Sequence, residues 1–138
     1  MSNVAYKPIK DAIVTVLQGV SSLQVVYGKE EKVIGQFPGA CVSAAGHTAE
    51  LHDTVSNRKH YQHYVRLYFR TDENNDADYE DVLETVADQV IGALEHDVTL
   101  GGVVDWSLPT SGRWDFGQKE TPVRYLELIV HSEGRVVR

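Results

Sequence analysis

The chain has 138 residues, which fits one domain, and its 42% hydrophobic and 24% charged residues are typical of a globular protein. It has 13 Lys and Arg and 20 Asp and Glu, which give a net charge of −7. The basic residues are scattered along the sequence, which argues against a nucleic-acid-binding module. No apolar run approaches the roughly 20 residues that span a bilayer, and the N-terminus lacks the pattern of a signal peptide. We therefore expect one soluble domain over residues 1–138, made in the cytoplasm.

The N-terminal third predicts one helix followed by short strands. Apolar residues spaced three and four apart predict a helix over residues 8–20, with Pro8 in its first turn and Gly19 near its end. The segments that follow, in chain order, are a strand at 23–28, a solvated charged loop at 29–32, a buried strand at 37–46 that Gly46 ends, and a candidate hairpin arm at 47–56.

The strongest strand pattern is KHYQHYVRLYFRT, residues 59–71. Alternation places two sets of side chains on opposite faces. The set expected in the core is Tyr61, His63, Val65, Leu67 and Phe69. The opposite set is His60, Gln62, Tyr64, Arg66, Tyr68 and Arg70. Tyr and Arg are enriched at protein–protein interfaces, so this second row is either a contact surface or a row that another element covers.

The C-terminal half predicts a second helix and a final group of strands. Acidic and amide residues at 72–79 can cap a helix over residues 77–95, which carries an apolar stripe and an acidic opposite face. The predicted strands after it are 98–109, 113–117 and 122–132. The resulting order, α-β-β-β-α-β-β-β, predicts an α+β fold with a mixed or antiparallel sheet and two helices packed on one side.

The sequence contains no catalytic or cofactor motif such as GxSxG, HExxH or a phosphate-binding glycine loop. His60 and His63 lie three apart on a strand, so they point to opposite faces and cannot easily share a metal ion. Cys41 lies in an apolar stretch and is expected to be buried. The segment DENNDADYEDVLE, residues 72–84, has some of the polar residues of a calcium loop but lacks its central glycine. We predict no catalytic residues, no metal site and no cofactor.

Two tryptophans stand out near the C-terminus. Trp106 and Trp114 are expected close together on flanking strands of a hairpin at 105–116, beside Arg113 and Asp115. Because exposing tryptophan is costly, this pair is either a core filler or a contact surface.

The ordered features resemble one known family. A helix and short strand are followed by FPGACVS, then a long aromatic strand, then the helix ADYEDVLETVADQVIGAL. HDVTLGGVVDWSLP, GRWDFG and TPVRYLELIV complete the series. This series, from about residue 8 to residue 132, is similar to the tail terminator (tail completion) proteins of siphophages, including the lambda-type terminators. The most specific parts are the helix with TLGGVV and the closing hairpin.

The resemblance implies a non-enzymatic structural protein of the virion, assembled in the host cytoplasm. It implies a homo-oligomer, usually a hexameric ring, that sits at the tail–head junction, caps the tail tube and stops its polymerisation. The implied partners are the tail tube protein and a head-completion or connector protein. Genomic DNA would pass through the ring without specific binding, and an acidic subunit suits that role. The residues expected at subunit or partner interfaces are Tyr64, Arg66, Tyr68, Arg70, Trp106, Arg113 and Trp114.

The sequence is also compatible with two other functions. A head–tail connector or neck protein shares this size and ring symmetry. A small metal- or ligand-binding α+β enzyme that uses the histidines belongs to a different class. Bound metal in a monomer would favour the enzyme, whereas metal-free protein that assembles would favour the ring.

Overall fold

The computed structural model describes residues 3–71 and 77–137. Its elements are α1 (Tyr6–Gln18), β1 (Val25–Tyr27), β2 (Gly39–Leu51), β3 (Ser56–Arg70), α2 (Ala77–His96), β4 (Trp106–Gln118) and β5 (Pro122–Val137). The five strands form one mixed sheet in the order β1-β2-β3-β5-β4. β1 runs parallel to β2, and the other neighbours are antiparallel. The predicted α+β class and the order of its helices and strands are confirmed.

Both helices pack on the same face of the sheet and contribute to one core. On α1, Ile9, Ile13 and Leu17 recur every four residues and are fully buried, which is the stripe that an amphipathic helix turns toward a sheet. The predicted second helix, 77–95, agrees with α2, and its Val90 and Leu94 join the same core. The two helices also contact each other, so they form a continuous layer.

Strand alternation determines which side chains meet the helices. The predicted core set of the long strand, including His63, Val65 and Leu67, is buried on the helix side. On β5, Leu126 and Leu128 lie in the same core, opposite Leu67 and Val65 in the register of the antiparallel pair β3–β5. The division of faces predicted for the strand at 59–71 is confirmed.

The sequence placed a strand end at Gly46, and that position was wrong. β2 continues through Gly46 to Leu51, with a register shift between Ala44 and Gly46. A bulge absorbs the irregularity that the glycine signals, so the strand bends instead of stopping. The predicted arm at 47–56 is therefore mostly the second half of β2, and it pairs with the start of β3.

The segments predicted as separate strands at 98–109 and 113–117 form a single strand. β4 runs unbroken from Trp106 to Gln118, with a register shift between Pro109 and Ser111. Residues 98–105 are turns and bends. Gly101 and Gly102 have φ values of +69° and +91°, a conformation that glycine adopts without strain, so the glycine pair serves a tight turn.

The face of the sheet opposite the helices is covered at one end only. The segment between β1 and β2 folds over it and forms a small second core. The buried members of this core are Ile34, Cys41, Tyr68 and Val123. Cys41 is fully buried, as predicted, and burial raises the pKa of its thiol to about 11. Beyond this core the sheet face carries no second layer in the described chain.

Candidate subunit and partner interface

The part of the sheet that no element covers is the candidate functional surface, called here the uncovered face. At its centre, Tyr64 of β3 lies beside Ile129 of β5, and Glu127 of β5 lies between Arg66 of β3 and Arg113 of β4. Toward the connection between β2 and β3 it carries His60, Trp106, His131 and Glu133. Most of these side chains are half-buried, while Arg113 is exposed. Aromatic, aliphatic and paired charged groups thus share one sheet surface.

Arg66 is the best-anchored polar side chain of this face. Its Nε lies 2.8 Å from Glu127 Oε2 and its Nη1 lies 3.1 Å from Glu30 Oε1. Its guanidinium carbon lies 4.5 Å above the centroid of the Tyr64 ring. Charge-assisted bonds on two sides and a ring beneath hold the guanidinium in one position, so Tyr64 and Arg66 present a preformed surface.

Glu30 ties the covering segment to the sheet. Its carboxylate accepts hydrogen bonds from Arg66, from the Tyr68 hydroxyl and from Lys119, whose Nζ lies 2.5 Å from Oε2. Burial by itself would raise the pKa of Glu30, but the hydrogen bonds from Lys119, Tyr68 and Arg66 outweigh it and lower that pKa. The charged loop at 29–32 was expected to be merely solvated, so the role of Glu30 is a correction.

The predicted Tyr–Arg row does not form one continuous exposed surface. Tyr68 is only 3% exposed, because the segment between β1 and β2 covers it. Arg70 is exposed at the end of β3. Tyr64 and Arg66 belong to the uncovered face, so a partner can reach them, whereas the segment between β1 and β2 covers Tyr68.

Trp106 lies at the end of the uncovered face that is near the connection between β2 and β3. Its Nε1 donates a hydrogen bond to Glu133 Oε2 at 2.5 Å, and its ring centroid lies 5.5 Å from that of His60. His60 in turn shares a hydrogen bond with His131, with 2.6 Å between Nε2 and Nδ1. Burial and the charge of His60 lower the pKa of His131. Trp106 is therefore held by polar partners at the edge of an accessible surface.

Trp114 lies on the other face of the sheet. Its ring centroid is 5.8 Å from that of Phe69 and 5.0 Å from the guanidinium carbon of Arg124, at the margin of the helix-side core. The prediction that the two tryptophans lie close together on flanking strands was wrong. They occupy one strand, eight residues apart, on opposite faces, because the predicted hairpin is a continuous β4.

Arg113 is a surface residue of β4. Its side chain is 79% exposed and its Nη2 lies 3.0 Å from Asp115 Oδ2. The pKa of Asp115 is lowered by the hydrogen bond from the Phe116 backbone N–H and then by Arg113. An exposed pair of this kind contributes little to stability, so Arg113 is available to a partner.

His60 and His63 do not converge on one point. His60 lies on the uncovered face and His63 on the helix side, as alternation predicts. Within residues 3–71 and 77–137, no group of three or more His, Cys, Asp or Glu side chains is placed to hold a metal ion. The segment considered as a calcium loop begins with residues 72–76, which lie outside the described residues.

The fold adds six residues to the candidate surface: Glu30, Lys119, Glu127, Ile129, His131 and Glu133. Glu127 and Ile129 could have been found, because each pairs with a residue of the predicted row once β3 and β5 are set in register. Glu30 and Lys119 lie 89 positions apart, and no local pattern connects them.

No protein-family model matches the chain, and no curated protein matches its sequence. Among the described residues, no helix is long and apolar enough to cross a membrane.

Proposed function

We propose that this protein is a structural assembly subunit of a phage-like tail, a tail terminator that forms a ring on the tube end and ends its polymerisation. The proposal gives it a tube protein and a head-completion protein as partners, at the tail–head junction. The ring would be a homo-oligomer, and DNA would pass through it without specific binding. The action is capping: one side of the ring fits the tube and the other accepts no further tube ring.

The observation that supports this proposal most is the uncovered face. Helices cover one face of the sheet, whereas part of the other face has no layer over it and is available for contact. Tyr64, Arg66 and Trp106 are residue types that dominate protein interfaces. Here the Tyr64 ring lies against the Arg66 guanidinium, Arg66 is paired with Glu127, and Trp106 is hydrogen-bonded to Glu133. A preformed surface loses little side-chain entropy on binding, so it suits assembly. The order of segments that resembles the terminator family supports the same role.

The genetic test is deletion of the gene from the genome that encodes the protein, followed by electron microscopy of the tails. We expect tubes that exceed the normal length and carry no heads. Tails of normal length that fail to join heads would instead indicate a neck protein. Tails of normal length joined to heads would refute an assembly role at this junction.

The uncovered face is tested by complementation of that deletion. The double variant Tyr64→Ala with Arg113→Ala removes two accessible side chains without breaking the Arg66 ion pairs. We expect it to fold and to leave tails overlong. The matched control is Thr15→Ala with Gln18→Ala, two exposed positions on α1. Equal complementation by both variants would show that the uncovered face is not the contact surface.

A further inference from the structure

The charges of this chain are distributed very unevenly along its sequence. Eleven of its twenty acidic residues lie between Arg70 and Arg113, a stretch that contains no Lys or Arg. α2 (Ala77–His96) lies within this stretch and packs over β4, at one edge of the sheet. α1 packs over β1 and β2, at the opposite edge. The lateral side formed by α2 therefore bears carboxylates and no Lys or Arg from the helix itself, and the nearby Arg124 of β5 is paired with Glu80.

A groove of about 440 Å³ runs along the acidic side, between α2 and β4. We call it the acidic groove. Glu84 and Asp88 line it, and neither has a basic side chain within ion-pair distance among residues 3–71 and 77–137. Its apolar lining comes from Ile91, Trp114 and the two leucines Leu126 and Leu128. Apolar surface between unneutralised carboxylates is suited to a partner that brings cations.

The opposite lateral side carries a groove with the complementary charge. This groove, about 340 Å³, lies between α1 and the part of β2 that extends past β1. Lys7, Lys10 and Lys29 line it, so we call it the lysine groove. Lys7 and Lys29 are 79% and 75% exposed and form only surface ion pairs, with Asp11 and Glu31. Such exposed pairs are weak and can exchange for a partner's carboxylates.

Glu30 also lines the lysine groove but does not cancel its charge. Its carboxylate is bonded to Arg66 and Lys119, which lie toward the uncovered face. The three lysines of this groove thus have only the surface carboxylates of Asp11 and Glu31 as ion-pair partners among the described residues.

We infer that the acidic groove of one copy binds the lysine groove of a second copy. Every copy carries both surfaces on opposite edges of its sheet, so each bound copy leaves one free surface of each kind. Contacts between two different surfaces of identical chains are head-to-tail, and they close into a ring when the rotation between neighbours allows it. The inference rests on the proposed function, because it supplies the lateral contacts that a capping ring requires.

The contact has a defined physical signature. Lysine ammonium groups of one copy face Glu84 and Asp88 of the next, so association weakens when salt screens these charges. Burial of the apolar lining of the acidic groove adds a term that salt does not remove. Association should therefore fall but not vanish between about 0.05 M and about 0.5 M salt.

Charge reversal tests the pairing of the two grooves. The variant Glu84→Lys with Asp88→Lys carries two basic grooves, and the variant Lys7→Glu with Lys29→Glu carries two acidic ones. We expect each variant alone to associate at least about tenfold more weakly than the wild type, because like charges then meet. The readout is oligomer mass by analytical ultracentrifugation and native mass spectrometry. The matched control for the first variant is Glu50→Lys with Glu120→Lys, which changes the net charge by the same amount at exposed positions outside both grooves.

Mixing the two reversed variants is the decisive measurement. In the mixture each basic groove meets an acidic groove of the other variant, so alternating oligomers should form with affinity restored to near the wild-type value. A variant that merely misfolds cannot be rescued in this way. A wild type that stays monomeric at low salt, reversed variants that assemble normally, or a mixture that stays dissociated would each overturn the inference. Oligomers that form as expected but do not cap tubes would instead refute the proposed function. Reversed variants that still terminate tails would refute only the groove pairing.

Discussion

Neutralising Glu30 should loosen the segment between β1 and β2 from the sheet. The carboxylate is 32% exposed and receives hydrogen bonds from Arg66, Tyr68 and Lys119. The variant Glu30→Gln keeps the size of the side chain but removes its charge. Hydrogen bonds to a charged group contribute about 1.5–3 kcal/mol each when partly buried, and Arg66 retains Glu127. We therefore expect the free energy of unfolding to fall by roughly 1–3 kcal/mol.

The assay is urea denaturation of Glu30→Gln beside Glu31→Gln, a control at the adjacent residue. The Glu31 side chain forms only a 3.4 Å pair with the exposed Lys29, so its loss should cost less than about 1 kcal/mol. The difference between wild type and Glu30→Gln should also depend on pH. Because the pKa of Glu30 in the folded state lies below its ordinary value of 4.5, its contribution is fully present above that pH and is lost as pH falls through the folded pKa.

A local measurement separates loosening of the segment from global unfolding. Cys41 is fully buried in the second core beside Ile34 and Tyr68, so a thiol reagent reaches it only when that core opens. We expect Cys41 to react severalfold faster in Glu30→Gln than in Glu31→Gln under native conditions. Equal stability and equal thiol reactivity of the two variants would refute the view that Glu30 holds the segment in place.

Other predictions concern the helix-side core. His63 is fully buried with its Nε2 bonded to the Tyr6 carbonyl, and burial lowers its pKa, so stability should fall as pH drops below about 6.5, where the unfolded histidine binds a proton. His63→Leu should reduce this slope in pH-dependent denaturation and leave the contribution of His131, and an unchanged slope would contradict the assignment. Gly134→Ala would place its Cβ 2.1 Å from Val4 Cγ1, so we expect a loss of about 1–3 kcal/mol, and a melting temperature equal to wild type would be inconsistent with that packing. Gly92→Ala, in α2 with open space around its Cβ, should stabilise by about 0.5–1 kcal/mol, and any loss of stability would contradict this.

Local periodicity accounts for what the sequence predicted well. The stripes of α1 and α2 and the alternation of β3 and β5 depend on spacing within one element, which the sequence displays directly. These patterns were sufficient for the fold class and for the two sides of the sheet. They also placed His60 and His63 on opposite faces, which argues against a metal ion bound by both.

Non-local pairing accounts for what the sequence did not predict. Glycine and proline are common at strand ends. Here Gly46, Pro109 and Gly112 each lie inside a long strand whose partner strand continues past them. Whether such a residue ends a strand or forms a bulge is decided by the neighbouring strand. The separation of Trp106 from Trp114 follows from the same cause, because a continuous β4 with a register shift places them on opposite faces.

The candidate surface was predicted in part for a similar reason. Composition identified Tyr64 and Arg66, but only the fold shows that Tyr68 is covered while Trp106 is accessible. The covering depends on Glu30, whose partners Arg66 and Lys119 lie 36 and 89 residues away in sequence. Contacts at such separations leave no local signature.

Growth of tail tubes in the presence of the purified protein tests the proposed capping most directly. Tube protein is allowed to polymerise with and without substoichiometric amounts of this chain, and tube lengths are measured by electron microscopy. Capping predicts that mean tube length falls as the protein is added and that density for it lies only at tube ends. Tube lengths that stay the same at every ratio, or protein bound along the sides of the tubes, would contradict it.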